Sequence, residues 1–226
     1  MAQKIRLVFR MFMKNGPLQI GFSVLFISST FLLLSPHSLY PRWFASRLTG
    51  VGTLAVISAL FLLPVFLLET HTNTPVGVIE KKYRALIRFE QCMLLGLFLN
   101  FIGVIGVFSL HIAFDKLVHF IAPCIAVAAG AQCIHVWFTI SLRRATLYAA
   151  SLVIASIFTW ELLEFLSDYF LGTMSLGQTG NNVLIDTSQD LVAGLCGIAV
   201  AAFFTLKYRT RKRIVIIPAL LRIDNS

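Results

Sequence analysis

Half of the chain's ten carboxylates lie in one stretch, residues 160–190, although the protein is 58% hydrophobic and only 13% charged. They are Glu161, Glu164, Asp168, Asp186 and Asp190. The stretch contains no Lys or Arg, and the apolar runs beside it are long enough to span a bilayer. Ionisable groups inside a membrane are costly and mark functional sites by default. These acids are therefore the first candidates for chemistry.

Helical spacing gathers the acids into three short polar stripes. Positions three, four and seven apart share one face of an α-helix. By this rule the stripes are Asp115 with His119, Glu161 with Glu164 and Asp168, and Asp186 with Asp190. Small residues extend two of these faces, at 122, 126, 130 and 133 for His119 and at 194, 197 and 201 for Asp190. Because small residues let helices approach, both stripes are predicted to point into the bundle and meet the glutamates.

The charge of the two glutamates must be offset. Glu161 and Glu164 lie roughly 6 to 10 Å inward of Asp168, at about 1.5 Å per residue, which is too deep for helix capping. A carboxylate deep in a span costs about 2.5 to 3.5 kcal/mol, so the pair costs on the order of 5 kcal/mol. Protonation, pairing with Lys116 or His119, or a bound cation could supply the compensation.

A divalent metal ion is the cofactor that these side chains would suit. Carboxylate oxygens with one imidazole are compatible with Mg²⁺, Mn²⁺ or Zn²⁺. The spacing permits such a site without selecting one ion. The candidate ligands are Asp115, His119, Glu161, Glu164, Asp186 and Asp190.

Simpler structural roles compete for several of these residues. Asp186 followed by Gln189 resembles a helix capping box, and Asp190 in the first helical turn is favoured by the helix dipole. Asp115 could be only an N-cap, and His119 could be a buried histidine with satisfied hydrogen bonds. The glycine-containing segment 171–183 is compatible with a lid over the site or with an ordinary connection.

Composition indicates a polytopic all-α membrane protein. The mean hydropathy is +0.83, and six apolar runs predict a single bundle of about six transmembrane helices. The predicted spans are about 18–34, 48–68, 91–110, 116–138, 145–166 and 188–207, with a basic surface helix within the polar segment 69–90. The four cysteines, Cys92, Cys124, Cys133 and Cys196, fall in these spans without a CxxC pair and are predicted to be small core residues.

The domain organisation follows from the position of the bases. Residues 1–16 are a basic amphipathic segment, in which Ile5, Phe9 and Phe12 are predicted to face lipid. Residues 17–206 form the transmembrane domain, whose motif-bearing part is 111–205, and residues 207–226 are a basic tail. The net charge of +9 does not indicate a nucleic-acid partner, since the bases lie between apolar segments and no nucleic-acid-binding signature is present.

The distribution of Lys and Arg predicts the orientation. With the N-terminus in the cytoplasm, four, four, two and six bases fall in successive cytoplasmic segments, 16 of the 19 in the chain. Only Arg42, Arg47 and Lys116 fall on the other side. The positive-inside rule therefore predicts that both termini are cytoplasmic and that the acidic stripes open to the extracytoplasmic side.

Four motifs follow one another in the second half of the chain: Asp-x3-His at 115–119, Glu-x2-Glu at 161–164, Leu-Gly-Thr at 171–173 and Asp-Thr-x2-Asp at 186–190. In this order they resemble the bacterial inner-membrane proteins of the YjdF-like family and, more distantly, the VanZ-like group. The resemblance covers roughly residues 111–205. It implies a multi-pass inner-membrane protein of unestablished activity. The VanZ-like group is associated with glycopeptide resistance, which implies a role in the cell envelope.

Three functional hypotheses remain open from the sequence. In the first, the protein is a metal-assisted enzyme or factor acting on an amphipathic lipid or cell-envelope substrate, with Glu164 or His119 as general base and the other acids holding the cation. In the second, the acids form a proton or cation relay of a transporter. In the third, the protein is structural or accessory, and the polar cluster only holds the helices together. The bilayer is the one certain partner, and the oligomeric state is open.

Overall fold

The structure is a computed structural model that describes residues 2–34, 43–69, 75–103, 112–171 and 183–207. Within these ranges the chain forms helices and no strand, which confirms the predicted all-α class. The helices are α1 Ala2–Met13, α2 Gly16–Leu34, α3 Trp43–Glu69, α4 Val76–Ile102, α5 Ile112–Phe138, α6 Leu142–Leu171 and α7 Val183–Lys207.

Four of these helices are long and apolar enough to cross a membrane. The candidate spans are Gly77–Ile102, Phe114–Phe138, Leu142–Leu166 and Ile185–Lys207, in α4 to α7. The described parts of α2 and α3 contribute shorter apolar helices, Gly16–Phe31 and Val51–Pro64. Helices of this length and composition are those of an integral membrane protein, so the chain is a helical membrane protein with several spans.

Helix α4 differs from the prediction for residues 69–90. A surface helix followed by a span starting at Gln91 was expected, but one continuous helix runs from Val76 to Ile102. Neither Gly nor Pro occurs between residues 78 and 95, so nothing in the sequence interrupts the helix. Its buried stripe contains Ile79, Tyr83, Leu86 and Glu90, whereas Lys81, Arg84 and Arg88 lie on the exposed side. The remainder of the predicted third span, 104–110, lies outside the described residues.

Helix α5 is the centre of the bundle, because it packs against α4, α6 and α7. One core cluster joins α2, α3 and α4 to the second half of α5, where Cys133 and Trp137 are buried. A second, smaller cluster joins α5, α6 and α7 around Val127, Ile198 and Ala201. The three helices that carry the acidic motifs therefore pack on one another.

Glycines allow the closest approach between α5 and α7. A Cβ atom added at Gly197 would collide with the carbonyl oxygen of Phe120, and one added at Gly194 would lie 2.8 Å from Cδ1 of Ile157 and 3.6 Å from the carbonyl oxygen of His119. This packing confirms the prediction that the small-residue face of Asp190 points into the bundle. It also brings the first turns of α5 and α7 side by side.

Two predictions about individual apolar residues need correction. Phe12 was expected to face lipid, but its ring packs against Phe22 and Phe61, at centroid distances of 6.1 and 5.7 Å. Cys196 was expected in the core but is exposed. Cys133 is buried, Cys92 and Cys124 are partly buried, and all four cysteines are free.

Candidate functional site

Lys116 links α5 to α7 through two aspartates of α7 and also bonds to Asp115, its neighbour in α5. Its Nζ atom donates hydrogen bonds to Asp186 Oδ1 at 2.6 Å, to Asp190 Oδ1 at 2.7 Å and to Asp115 Oδ2 at 3.1 Å. The side chain of Lys116 is only 20% exposed, so these charge-assisted bonds are partly shielded from solvent. The ammonium group neutralises one of the three aspartate charges and fixes the relative position of the two helices.

His119 lies one turn after Asp115 and faces acids from two other helices. Its Nε2 atom is 3.6 Å from Asp115 Oδ1 and 3.8 Å from Asp190 Oδ1. Its Nδ1 atom is 3.8 Å from Glu161 Oε1, on α6. These distances exceed those of hydrogen bonds. The imidazole therefore stands among three carboxylates without a direct bond to any of them.

Asp115, His119 and Asp190 have the spacing that a shared cation requires. One potential ligand atom of each lies within 4.8 Å of the others. Two ligands at about 2.1 Å from one tetrahedral ion are roughly 3.4 Å apart, which is close to the 3.6 and 3.8 Å separations from His119. The three residues thus fit a divalent cation in both chemistry and separation.

Glu161 is the least satisfied group of the site. The residue is only 5% exposed, and within the described part of the chain neither of its buried carboxylate oxygens has a hydrogen-bond partner. A buried polar group without a hydrogen-bond partner destabilises the folded protein by the full free energy of its desolvation. Because Glu161 also faces His119, a proton or a cation between α6 and the other two helices would offset this cost.

Asp186 and Glu164 lie at the edge of this group, and neither Asp186 nor Asp115 has the capping role considered from the sequence. Asp186 is in the first turn of α7 and bonds to Lys116, and Asp115 is likewise inside the first turn of α5, so neither is an N-cap residue. Glu164 is half-buried on α6 and lies outside the group of ligand atoms around His119. The side chain of Asp168 and the segment 172–182 lie outside the described residues.

Two important residues were not identified as such from the sequence. Lys116 was considered only as one of several possible partners for the glutamates, although it is the central cation of the aspartates. Glu90 was assigned to a surface segment but is 1% exposed, and its buried Oε1 atom has no hydrogen-bond partner among the described residues. Its helical register with Tyr83 and Leu86 was the signal that could have revealed its burial.

The chemistry of the site follows from its charge. We use the name acidic cluster for Asp115, Lys116, His119, Glu161, Asp186 and Asp190. Its four carboxylates against one ammonium leave three formal negative charges when His119 is neutral. A divalent cation would offset two of them.

Comparison with known proteins agrees with a membrane family. A family model described as "Predicted membrane protein (DUF2238)" matches residues 18–211, which include all four candidate spans and the whole acidic cluster. The match agrees with the membrane family implied by the YjdF-like resemblance, and it does not extend to the VanZ-like group. No match was found among curated proteins or among solved structures.

Proposed function

Because the chain belongs to the DUF2238 family of predicted membrane proteins, we propose that its activity takes place within the bilayer, at the acidic cluster. The proposed function is that of a metal-assisted enzyme or factor acting on an amphipathic cell-envelope substrate. The observation that supports it best is the buried carboxylate of Glu161, which has no hydrogen-bond partner among the described residues and faces His119. A divalent cation held nearby would offset the free-energy cost of burying this carboxylate.

Each residue of the acidic cluster has a separate role in this proposal. Asp115, His119 and Asp190 would hold the cation, and Glu161, which faces His119 from α6, would lie beside these ligands. Lys116 keeps Asp115 and Asp190 in position through its hydrogen bonds. When bound, the cation supplies Lewis-acid polarisation of a substrate oxygen.

Proton transfer is the second task of the site. His119 is one candidate for the general base, in an arrangement in which carboxylates alone hold the cation, because its ring lies between carboxylates of three helices. Glu164 is the second candidate, one turn after Glu161 on α6 and outside the cation ligands. A base that is not itself a ligand keeps its lone pair available for the substrate.

The surroundings of the acidic cluster suit a substrate with a polar head and an apolar tail. Helix α6 has 30 residues and is therefore about 45 Å long, longer than the hydrocarbon core of about 30 Å. Beside Glu161 it exposes Leu162 and Phe165, and further along it exposes Tyr169 and Phe170. Aromatic residues of this kind accumulate at the membrane interface. An acyl chain could lie along α6 while the polar head reaches the acids.

The proposal includes a topology of six spans with both termini in the cytoplasm of a cell with an inner membrane. It is supported by the excess of bases in the predicted cytoplasmic segments, 16 of 19. In this topology α2 and α3 supply the first two spans, and the acidic cluster opens to the extracytoplasmic side. Reporter fusions at residue 178 should read extracytoplasmic and fusions at residue 78 cytoplasmic, and the opposite pattern would contradict an outward-facing site.

Metal analysis of the purified protein tests the function directly. We expect close to one equivalent of a divalent ion per chain, lost on chelation and restored by Mg²⁺, Mn²⁺ or Zn²⁺. The double variant His119→Ala and Asp190→Asn should retain none. Glu80→Gln is the matched control, because it removes an exposed acid whose partner is Arg84, on α4. Equal metal content in the two variants, or none in the wild type, would exclude the metal-assisted function.

A cation- or proton-coupled carrier is the second candidate, and one observation favours it. The ammonium group of Lys116 lies among three carboxylates. A transported cation could take its place there without any change in the positions of the carboxylates. Carriers also use intramembrane acids as relays. Ion-dependent flux in proteoliposomes, together with no retained metal, would favour this candidate over the enzyme.

A further inference from the structure

Helix α1 has an exposed face in which basic and apolar residues alternate. This face consists of Arg6, Phe9, Arg10 and Met13, with Lys14 directly after the last helical residue. Phe9 is 62% exposed and Met13 55%. At about 100° per residue the five side chains cover less than half of the helix circumference, so they form one continuous surface.

The opposite face of α1 is packed against the bundle. Met11 and Phe12 contact the core cluster of α2, α3 and α4, and Phe12 forms an edge-to-face pair with Phe61. The apolar side chains of α1 therefore form two sets, one packed against the bundle and one exposed. One set of apolar side chains attaches the helix to the protein, and Phe9 and Met13 remain exposed.

Hydrogen bonds fix the corner between α1 and α2. Asn15 Oδ1 accepts a bond from the backbone N–H of Leu18 at 3.1 Å, which caps α2, and a second bond from Gln91 Nε2 on α4 at 3.1 Å. Gln19 Nε2 donates to the backbone carbonyl of Phe12 at 3.0 Å. The exposed face is thus held in a defined position at the start of the apolar segment Gly16–Phe31.

We propose that the exposed face of α1 binds anionic phospholipid headgroups. Residues 1–34 contain four bases and no acid, which is complementary to a phosphodiester surface. Phe9 and Met13, next to the bases, can enter the acyl region while Arg6 and Arg10 contact phosphate, the arrangement of interfacial helices. The segment 208–226 is a poor alternative occupant, because it contains five bases and one acid and is repelled by α1. This inference is independent of the cation site.

Lipid retention by the full-length protein tests the inference. The purified protein is equilibrated with mixed micelles containing equal amounts of phosphatidylglycerol and phosphatidylcholine and repurified, and the bound lipids are quantified. The wild type should be enriched in phosphatidylglycerol. For Arg6→Gln with Arg10→Gln, the preference should fall about fivefold for each base removed, and it should also weaken in high salt. Arg6→Lys with Arg10→Lys keeps the charge and should restore the preference.

Two further variants make the outcome specific. Arg143→Gln with Arg144→Gln removes another exposed basic pair, at the start of α6, and should lower the preference much less than the Arg6 and Arg10 variant does. An equal loss in this control, or no loss in the Arg6 and Arg10 variant, would contradict a site on α1. If only a chain truncated after residue 207 selects phosphatidylglycerol, the tail and not lipid covers the face, and the proposal is wrong.

Discussion

Glu161 and Glu90 are both buried acids with carboxylate oxygens that lack hydrogen-bond partners among the described residues, yet their surroundings differ. Glu161 faces His119. His119 also faces Asp115 and Asp190, two of the aspartates that bond to Lys116. Glu90 lies on the buried face of α4, one turn from Leu86 and two turns from Tyr83, in a region of apolar packing. The two acids are thus both buried, but within the described helices only Glu161 meets ionisable groups from two other helices, and this convergence is what supports the proposed site.

The largest expected loss of stability comes from removing the ammonium group of Lys116 from the acidic cluster. Lys116→Ala leaves three aspartates facing one another across α5 and α7. Losing one partner of a buried pair costs about 3 to 5 kcal/mol, and the partial exposure of Lys116 favours the lower value. Thermal unfolding in detergent, followed by circular dichroism, measures the loss.

Two variants control for this effect. Lys116→Arg keeps the charge and should recover most of the stability. Arg84→Gln breaks the exposed pair with Glu80 and should change stability by less than about 1 kcal/mol. Equal melting temperatures for Lys116→Ala and Arg84→Gln would mean that the acidic cluster does not hold the helices together.

The next largest loss of stability is expected when the backbones of α5 and α7 are forced apart. Gly197→Ala places a Cβ atom against the carbonyl oxygen of Phe120, so the two backbones must separate. Overpacking of this kind costs about 1 to 3 kcal/mol, and the separation should also lower metal retention, because Asp190 moves away from His119. Gly52→Ala is the control, since its added Cβ atom meets nothing within 4 Å. Undiminished metal retention in Gly197→Ala would show that the site does not depend on this contact.

Local periodicity explains which parts of the site could be predicted from the sequence. The pairs Asp115 with His119 and Asp186 with Asp190 follow from the 3.6-residue repeat alone, and the glycines at 194 and 197 indicated which face of α7 is packed. Partners across helices depend on rotation and depth, which the repeat does not contain. Lys116 illustrates this limit, because it follows Asp115 directly and its three-way contact arises only when α7 is in place.

Helix α4 shows why a hydropathy average placed the start of the third span at about Gln91, whereas the candidate span of the structure begins at Gly77. Four bases between residues 81 and 88 suggested a surface helix, because a hydropathy average does not distinguish the faces of a helix. In the structure Lys82 is buried with its Nζ atom 5.8 Å from the centre of the Trp137 ring, whereas Lys81 and Arg84 are exposed. Long basic side chains can bury their stems in this way, so a helix can be basic and still belong to the core.

The comparison of Glu161 with Glu90 can be sharpened by the same substitution at both positions. Glu161→Gln and Glu90→Gln each replace a buried carboxyl group with a neutral amide of similar size, so stability should stay within about 1 kcal/mol of the wild type or rise. Metal affinity should fall about tenfold or more for Glu161→Gln only, as expected when a neighbour of the first ligands is lost. Metal titration with unfolding curves measures both. An equal loss of affinity in Glu90→Gln would show that α4 also contributes to the site.

The smallest effect on stability, and the most informative for function, is expected for Glu164→Gln. Glu164 lies three residues after Glu161 on the same face of α6, so neutralising it relieves a like-charge pair worth about 0.2 to 0.5 kcal/mol. Because Glu164 lies outside the ligand atoms around His119, metal retention should remain near the wild-type level. As a proposed general base, however, it should be required for complementation of the defect that deletion of the gene causes. A variant that retains metal and complements fully would remove Glu164 from the proposed chemistry and leave His119 as the base.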